Sequence, residues 1–251
     1  MRWLLLALLL LLSACARPPA PLWTEVPAAA ELLEILHTRA GTNSRLDVAA
    51  SVSITTQGKH FSTQQFILAE QPDRIRVDAL TGFGQLVMQL TSDGDVLSVL
   101  LNTTNPPRFY RGSATEENFS RFVRLPLPPQ LLVAMLLYEP PIFTYQQAQV
   151  FQRGDQLELL LVNEDFSQTF FFDGQLQLTG TEYAQYQEPQ LAVDYSRFSS
   201  VDGFPRRIAL HMPQEDVTLA LNIKELAFNG DIPAERFYLQ APENITIEPI
   251  P

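Results

Sequence analysis

The segment DVTLALNIK, residues 216–224, alternates between large apolar side chains and side chains that are polar or small. Val217, Leu219, Leu221 and Ile223 fall on one side of this alternation. Because successive side chains of a β-strand point to opposite faces, the segment predicts a strand with one face buried in a core and the other exposed. Such half-buried strands are typical of antiparallel sheets.

The same period of two residues recurs along the chain. It is clear in VAASVSITT, residues 48–56, and in QLVMQLTS, residues 85–92. Between such segments stand dipeptides typical of tight hairpin turns, namely Asp93-Gly94, Gly154-Asp155, Asp173-Gly174, Asp202-Gly203 and Asn229-Gly230. We therefore predict a mainly β fold with about eleven antiparallel strands between Asp47 and Ile247. The strand–helix rhythm of a parallel sheet does not occur.

Two segments have a helical pattern instead. In VPAAAELLEILHTRAG, residues 26–41, apolar side chains recur every three or four residues between a proline and a glycine. This pattern predicts an amphipathic helix from Ala28 to Ala40. His37 lies near the end of that helix, where it favourably meets the helix dipole, and we interpret it in that way rather than as a catalytic residue.

The second helical segment lies in RFVRLPLPPQLLVAMLLYEPP, residues 121–141. Prolines flank a predicted helix from Gln130 to Tyr138 that is apolar on nearly every side, and such a helix has to be buried on every side. It is too short to span a membrane. We therefore predict that it covers or plugs the concave face of the sheet. The predicted lid and cavity contacts are Leu131, Leu132, Met135 and Leu136.

The N-terminal sequence MRWLLLALLLLLSAC, residues 1–15, has the pattern of a bacterial lipoprotein signal. Arg2 precedes an apolar stretch of about ten residues, which suits a secretory signal and is too short for a membrane span. Small residues then precede Cys15, the only cysteine of the chain. We predict a signal peptide over residues 1–14 and acylation of Cys15. The alternative is an ordinary signal peptide with an incidental cysteine.

The next residues predict how the protein is attached. ARPPAPLW, residues 16–23, is rich in proline, so residues 15–27 are predicted to be an extended tether to a single domain over residues 28–251. In the enterobacterial sorting rule, Asp directly after the acylated cysteine retains a lipoprotein at the inner membrane, and this chain has Ala16 there. By resemblance to that rule, we expect an outer-membrane lipoprotein that faces the periplasm. We also expect it to be a monomer.

The composition excludes several classes of function. The net charge is −11 and the isoelectric point is about 4.7. An acidic surface repels phosphate backbones, so we expect no nucleic-acid partner, and it disfavours broad electrostatic docking onto anionic lipid. The acyl group is therefore the expected membrane attachment. Hydrophobic residues make up 46% of the chain and sixteen residues are Phe, which predicts an aromatic interior or an apolar pocket.

The sequence contains no constellation that predicts catalysis or metal binding. Its three histidines, His37, His60 and His211, lack the spacing of a metal site, and no nucleophile elbow, phosphate loop or dinucleotide fingerprint occurs. The acidic pairs Glu116-Glu117 and Glu215-Asp216 are interpreted as solvated turns. We therefore expect no catalytic residue, no metal and no cofactor, and we do not expect an enzyme.

Three segments of the chain resemble one bacterial family, the LolA/LolB-like lipoprotein carriers and receptors. RIRVDALTGFGQLVMQL, residues 74–90, is similar to the receptor's third strand, exposed loop and fourth strand. RLPLPPQLLVAMLL, residues 124–137, is similar to the segment that leads into its lid helix. DGFPRRIALHMPQEDVTLALNIKELAFN, residues 202–229, resembles an uncharacterised lipoprotein branch of the superfamily. The resemblance implies a half-open β-barrel with a helical lid over an apolar cavity.

The resemblance also implies roles for individual residues. In the receptor, an aliphatic residue protrudes from the loop between those two strands and helps pass lipoproteins into the membrane. Phe83 takes that position here, between Gly82 and Gly84. The alternative is that Phe83 packs into the core above a tight turn. Arg74 and Arg76 lie on the preceding strand, and they are either surface charges or contacts to lipid at the mouth of the cavity.

Three classes of function are compatible with these patterns. The first is a LolB-like protein that binds acyl chains, accepts and inserts lipoproteins or transports lipid in the periplasm, with a periplasmic carrier protein as a partner. The alternative is an envelope sensor or scaffold lipoprotein that binds a protein partner through the same fold. An enzyme ranks last.

Overall fold

The structure is a computed structural model that describes residues 25–250. The predicted signal peptide, Cys15 and most of the predicted tether lie outside the described residues. The described part contains three α-helices, α1 (Ala29–Arg39), α2 (Glu116–Val123) and α3 (Pro129–Leu136). No helix within residues 25–250 combines the length and the apolar character that crossing a membrane requires.

One curved, open sheet accounts for the strands of the described chain. They are β1 (Arg45–Thr56), β2 (Lys59–Glu70), β3 (Arg74–Leu80), β4 (Leu86–Ser92), β5 (Val96–Leu101), β6 (Arg108–Ser113), β7 (Gln147–Arg153), β8 (Gln156–Val162), β9 (Phe166–Phe172), β10 (Leu178–Gln185), β11 (Glu188–Phe198), β12 (Pro205–Met212), β13 (Val217–Phe228) and β14 (Ile247–Pro249).

The order across the sheet is β14-β6-β5-β4-β3-β2-β1-β13-β12-β11-β10-β9-β8-β7. Neighbouring strands run antiparallel except β14 and β6, which run parallel. The chain thus builds one half of the sheet from β1 outward, crosses through α2 and α3, and builds the other half inward until β13 pairs with β1. Val52 in β1 lies between Thr63 of β2 and Leu221 of β13. This open sheet with its helices confirms the predicted half-open barrel.

The sheet has fourteen strands rather than about eleven, and the difference has a physical cause. The strand β14 has only three residues, too few to show alternation. The strand β5 is buried on both faces over Leu97–Leu100, because its outer face is also covered. Leu100 packs there with Phe109 of β6 and with Leu239 of the C-terminal segment, and the three form a small separate cluster. A strand covered on both faces loses the period of two on which the count rests.

The main core lies on the concave face of the sheet. Val48, Ala50 and Val52 of β1 are buried there, and Leu219 and Leu221 of β13 lie beside them, as the alternation in both segments predicts. The helix α1 adds Leu32 and Leu36 to the same core and begins and ends within one residue of its predicted limits.

The helix α2 was not predicted, and the interpretation of Glu116-Glu117 as a turn is corrected. Both carboxylates are exposed in the first turn of α2, and Phe119 on the opposite side is buried. The signal was present in the sequence, because Thr115 caps the helix by accepting a hydrogen bond from the Asn118 backbone N–H. A hydroxyl residue followed by acidic residues is typical of a helix N-terminus. The pair Glu215-Asp216 is exposed at a short turn, as predicted.

The helix α3 starts and ends slightly earlier than predicted, and a buried carboxylate fixes the chain after its end. Glu139 is 8% exposed. Its two oxygens accept hydrogen bonds from the Gly41 N–H and the Asn43 N–H, both at 2.7 Å, and from Gln71 Nε2 at 2.8 Å. One side chain therefore joins the end of α3 to the α1–β1 loop and to the β2–β3 turn.

We expect Glu139→Ala to lower the free energy of unfolding by about 2–4 kcal/mol, because two backbone N–H groups and one amide lose their partner in a mostly buried place. Glu139→Gln keeps one acceptor oxygen and should lose less. Chemical denaturation measures both changes. Glu225→Ala is the control, since Glu225 is exposed. Equal effects of the Glu139 and Glu225 substitutions would show that this junction contributes no stability.

Candidate functional site

An apolar cavity lies between the concave face of the sheet and the segment that contains α2 and α3. Its volume is about 270 Å³. The strands β1 to β4, β12 and β13 supply one side, and the chain from Phe122 to Leu125 together with α3 supplies the other. The lining side chains are Val52, Ile54, Phe61, Thr63, Gln65, Ile67, Ile75, Val77, Ala79, Val87, Met88, Phe122, Val123, Arg124, Leu125, Leu132, Leu136, Leu210, Leu219 and Leu221.

The cavity suits a hydrocarbon ligand. Of its lining side chains, only Thr63, Gln65 and Arg124 are polar. The strand alternation explains this composition, because Ile75 and Val77 of β3, for example, point to the same concave face. Walls of this composition favour apolar ligands over water.

The volume sets the size of the ligand. An engineered cavity of about 150 Å³ in another protein holds one benzene molecule, so by proportion this cavity holds roughly ten carbon atoms. That corresponds to one short acyl chain or a segment of a longer one. A longer chain would have to extend through the mouth of the cavity or displace the segment that covers it.

The exposure of the lining residues shows where the mouth of the cavity lies. Phe61 and Arg124 are exposed, whereas the other lining residues are buried or half-buried. Phe61 is 48% exposed near the start of β2, and the Arg124 guanidinium carbon lies 5.9 Å from the centre of its ring. The cavity therefore opens at the end of the sheet where β1 joins β2.

The structure separates the four predicted lid residues into two pairs. Leu132 and Leu136 line the cavity, whereas Leu131 and Met135 are not among its lining residues. Met135 is fully buried, and its carbonyl oxygen accepts a hydrogen bond from the Tyr195 hydroxyl at 3.3 Å. Leu131 is half-buried against the core. One side of α3 thus faces the cavity and the remainder packs on the protein.

The C-terminal end of α3 is firmly held. The Tyr138 hydroxyl donates a hydrogen bond of 2.6 Å to the Leu178 carbonyl oxygen, and the Arg39 guanidinium lies 4.1 Å from the centre of the Tyr138 ring. Burial raises the pKa of Tyr138 to about 12, although the charge of Arg39 opposes this rise. The phenol therefore remains a neutral donor. Together with Glu139, these contacts fix one end of α3.

Phe83 lies at the tip of the β3–β4 loop, and its side chain is 96% exposed. The loop is closed by its own hydrogen bonds, since Thr81 Oγ1 accepts from the N–H groups of Phe83 and Gln85. Gly84 has a φ angle of +79°, which favours glycine, and a Cβ at Gly82 would meet no atom within 4 Å. The ring thus points into solvent and does not pack in the core.

The tip loop and the cavity mouth lie at the same end of the sheet. In the register of β2 and β3, Gln64 pairs with Leu80, the last residue before the tip loop. Phe61 lies three residues before Gln64, so it extends β2 toward the same end. An exposed ring and an apolar opening therefore share this end of the molecule.

Arg74 and Arg76 lie on the face of β3 opposite to the cavity. They alternate with Ile75 and Val77, which line the cavity. Arg74 pairs with Glu70 at 3.1 Å, and Arg76 pairs with Asp78 at 3.1 Å. This placement differs from the cavity-mouth prediction and corresponds to the surface-charge alternative, because β3 turns its two arginines outward.

The three histidines lie apart from the cavity. His37 is exposed at the end of α1, and His60 and His211 are each paired with a threonine hydroxyl on the exposed surface. Among the residues that the structure describes, no group of three His, Cys, Asp or Glu side chains is placed to hold a metal ion.

Comparison with known proteins supports the fold assignment. A DUF1329 family protein from Desulfovibrio piger has a TM-score of 0.56 at 14% identity, covering 84% of this chain and 95% of that chain. A LolA superfamily protein from Nitrosomonas europaea has a TM-score of 0.51 at 12% identity, covering 85% and 99%. No family model and no curated protein matches the sequence. At these identities the likeness concerns the fold, and it agrees with the LolA-like fold implied by the sequence.

Substitutions of two leucines, one in α3 and one directly after it, test whether Leu132 borders the cavity. Leu137 is fully buried away from the cavity, so Leu137→Ala should lower the free energy of unfolding by about 2–5 kcal/mol. Leu132 already faces the cavity and makes fewer contacts to lose, so Leu132→Ala should cost less, about 1–2 kcal/mol. Urea denaturation of both variants measures the difference. Equal losses of unfolding free energy in the two variants would show that Leu132 is as closely packed as Leu137 and does not border a cavity.

Proposed function

We propose that this protein binds acyl chains of lipids or lipoproteins in the cavity covered by α2 and α3. The observation that carries the proposal is the composition of the cavity, whose lining is apolar except for Thr63, Gln65 and Arg124. The hydrophobic effect favours transfer of each buried methylene group by about 0.8 kcal/mol, so a chain of ten carbons has a large driving force to enter. The LolA-like fold supports the same ligand class.

The proposal includes a location in the bacterial cell envelope. The lipoprotein pattern that ends in Cys15 supports an acyl anchor, and Ala16 supports the outer membrane. Two or three acyl chains on one cysteine make attachment stable. The tether of residues 15–27 would reach about 40 Å if extended at about 3.1 Å per residue. That length lets the domain orient its cavity mouth toward the membrane or toward a periplasmic carrier.

The finer proposal is a LolB-like role, in which the protein receives a lipoprotein and passes its acyl chains to the membrane. It is supported by the exposed Phe83, which lies at the same end of the sheet as the mouth. An exposed aromatic ring enters an acyl interface favourably. The ring and the mouth would thus meet the membrane together, which shortens the path of an acyl chain between cavity and bilayer.

The envelope sensor or scaffold is the second candidate. The strand β7 favours it, because in the described sheet β7 is an end strand that pairs only with β8. Free strand edges are places where partner chains add a strand. Phe151 of this strand is 42% exposed, whereas Val150 packs against the core, so Phe151 is the apolar side chain that β7 offers to a partner. The apolar cavity favours the first candidate, since a scaffold does not need one.

The decisive experiment compares two substitutions on adjacent residues of β1. Ile54 lines the cavity, whereas Ser53 lies on the outer face, so Ile54→Trp fills the cavity and Ser53→Trp is its matched control. We expect Ile54→Trp to weaken binding of a fluorescent fatty acid at least tenfold because the ring occupies the space of the chain. Displacement titration measures the affinities.

Melting temperature provides a second measure of the same binding. At a concentration of about 100 times Kd, a ligand stabilises the folded protein by about 2.7 kcal/mol. For a domain of this size that corresponds to a rise of roughly 5–10 °C. Saturating acyl ligand that leaves the melting temperature of the unsubstituted protein unchanged would contradict acyl binding.

Phe83→Glu tests the role of the tip. Because the ring is exposed, the free energy of unfolding should change by less than about 0.5 kcal/mol. Loss of a ring that enters the membrane should weaken liposome binding about tenfold to hundredfold, since burying it contributes roughly 1.5–3 kcal/mol. Liposome co-sedimentation and thermal melts measure the two effects in the chain that carries Cys15→Ser, because an acylated Cys15 would hold the protein on the liposome by itself.

The matched control for the tip is Phe66→Glu. Phe66 is 53% exposed on the outer face of β2, where it pairs with Asp78 of β3 and is not part of the tip loop. We expect this control to leave liposome binding unchanged. Equal losses from both substitutions would mean that added negative charge, and not the position of the ring, sets the binding.

A further inference from the structure

Arg124 is held in an unusual position at the mouth of the cavity. It follows the last residue of α2 with φ +58°, in the left-handed region, and its N–H donates to the Ser120 carbonyl oxygen at 2.8 Å. The chain then turns so that Leu125 is buried in the cavity lining. Because its neighbour points inward, the Arg124 side chain is left at the surface, over the opening.

The guanidinium group of Arg124 has no anionic partner in the part of the chain that the structure describes. Between residues 25 and 250, its side chain makes no ion pair and no hydrogen bond. Its neighbour on α2, Arg121, pairs with Glu117 at 2.8 Å. In a chain with a net charge of −11, an arginine without a carboxylate beside an apolar opening is a distinctive feature.

The cavity lining grows less polar inward from this arginine. Along the concave face of β2 the order is Phe61, Thr63, Gln65 and Ile67, and the Gln65 amide nitrogen donates to Thr63 Oγ1 at 3.0 Å. The mouth therefore presents a positive charge, the next positions carry neutral polar groups, and the interior is hydrocarbon. This is the order of polarity in a single-chain anionic amphiphile.

We propose that Arg124 binds the anionic head group of the amphiphile whose hydrocarbon chain occupies the cavity. The inference rests on the proposed acyl binding and adds the class of head group, a carboxylate or a phosphate. The planar guanidinium group matches either anion with two parallel N–H donors, and such charged hydrogen bonds are stronger than neutral ones. Seated at the mouth, the anion stays partly hydrated and avoids the cost of full burial.

The test uses ligands that share one chain and differ in the head group. Dodecanoate, dodecyl phosphate and dodecanol are titrated at neutral pH into the full chain that carries Cys15→Ser, which removes the predicted acyl anchor so that no attached chain competes. We expect the two anions to bind about tenfold more tightly than dodecanol, and Arg124→Gln to abolish this preference while dodecanol binds as before. The preferred anion tells a fatty acid from a phosphate-bearing lipid.

Two further variants keep the test interpretable. Arg124→Asn retains a residue type that tolerates the left-handed conformation and should behave like Arg124→Gln. Arg121→Gln removes a neighbouring charge that does not line the cavity and should change no affinity. Thermal melts establish that each variant is folded.

The outcomes separate this inference from the proposed function. Equal binding of dodecanol and the anions, or an equal loss for all three ligands in Arg124→Gln, overturns the role of Arg124 and leaves acyl binding intact. Binding of none of the three ligands by the unsubstituted protein overturns the proposed function and this inference with it.

Discussion

An open sheet with an apolar concave face is the constraint from which the other features of this structure follow. The sheet runs from β14 to β7 without closing into a barrel, so its inner face is not covered by its own strands. The hydrophobic effect requires another element to shield that face from water. The helix α3 does so with Leu132 and Leu136, and it is apolar on nearly every side because it is enclosed on nearly every side.

The chain that covers the cavity is held by several buried polar contacts after α3 and mainly by apolar packing before it. After α3, Glu139 and Tyr138 make short hydrogen bonds to three separate parts of the chain. Before α3, Phe119 and Leu125 are buried, and Arg124 between them is exposed. The only side-chain hydrogen bond that Gln130 makes at the start of α3, among the described residues, is to Asp73 Oδ2 at 2.9 Å. Regions with fewer buried contacts open at lower free energy. Widening of the cavity is therefore expected around the exposed Arg124, beside the mouth, while the Glu139 end remains in place.

This asymmetry gives the two ends of the molecule different physical character. The end with the cavity mouth carries an exposed ring at Phe83, a half-exposed ring at Phe61 and a guanidinium group without a carboxylate. These side chains suit the boundary between hydrocarbon and water, where apolar rings and cations are both favourable. The net charge of −11 does not show this local composition, because a sum over the whole chain does not say where the charges lie. An acidic protein can therefore present one end that is suited to lipid.

The sequence by itself determined the features that depend on local periodicity. The alternation in β1 and β13 predicted their buried faces, and the apolar run of α3 predicted its burial. The sequence left open whether Phe83 is exposed or packed in the core, and the fold places its ring in solvent. Two short elements were not predicted: the three residues of β14 are too few to show alternation, and the eight residues of α2 were missed although the Thr115 cap and the acidic residues after it signal a helix start. Only the tertiary structure decided that Arg74 and Arg76 face away from the cavity and that Arg124 faces its mouth. The alternation along a strand shows which residues share a face of the sheet. Which of the two faces becomes concave depends on strand pairings such as that of β1 with β13, and these strands lie far apart in the sequence.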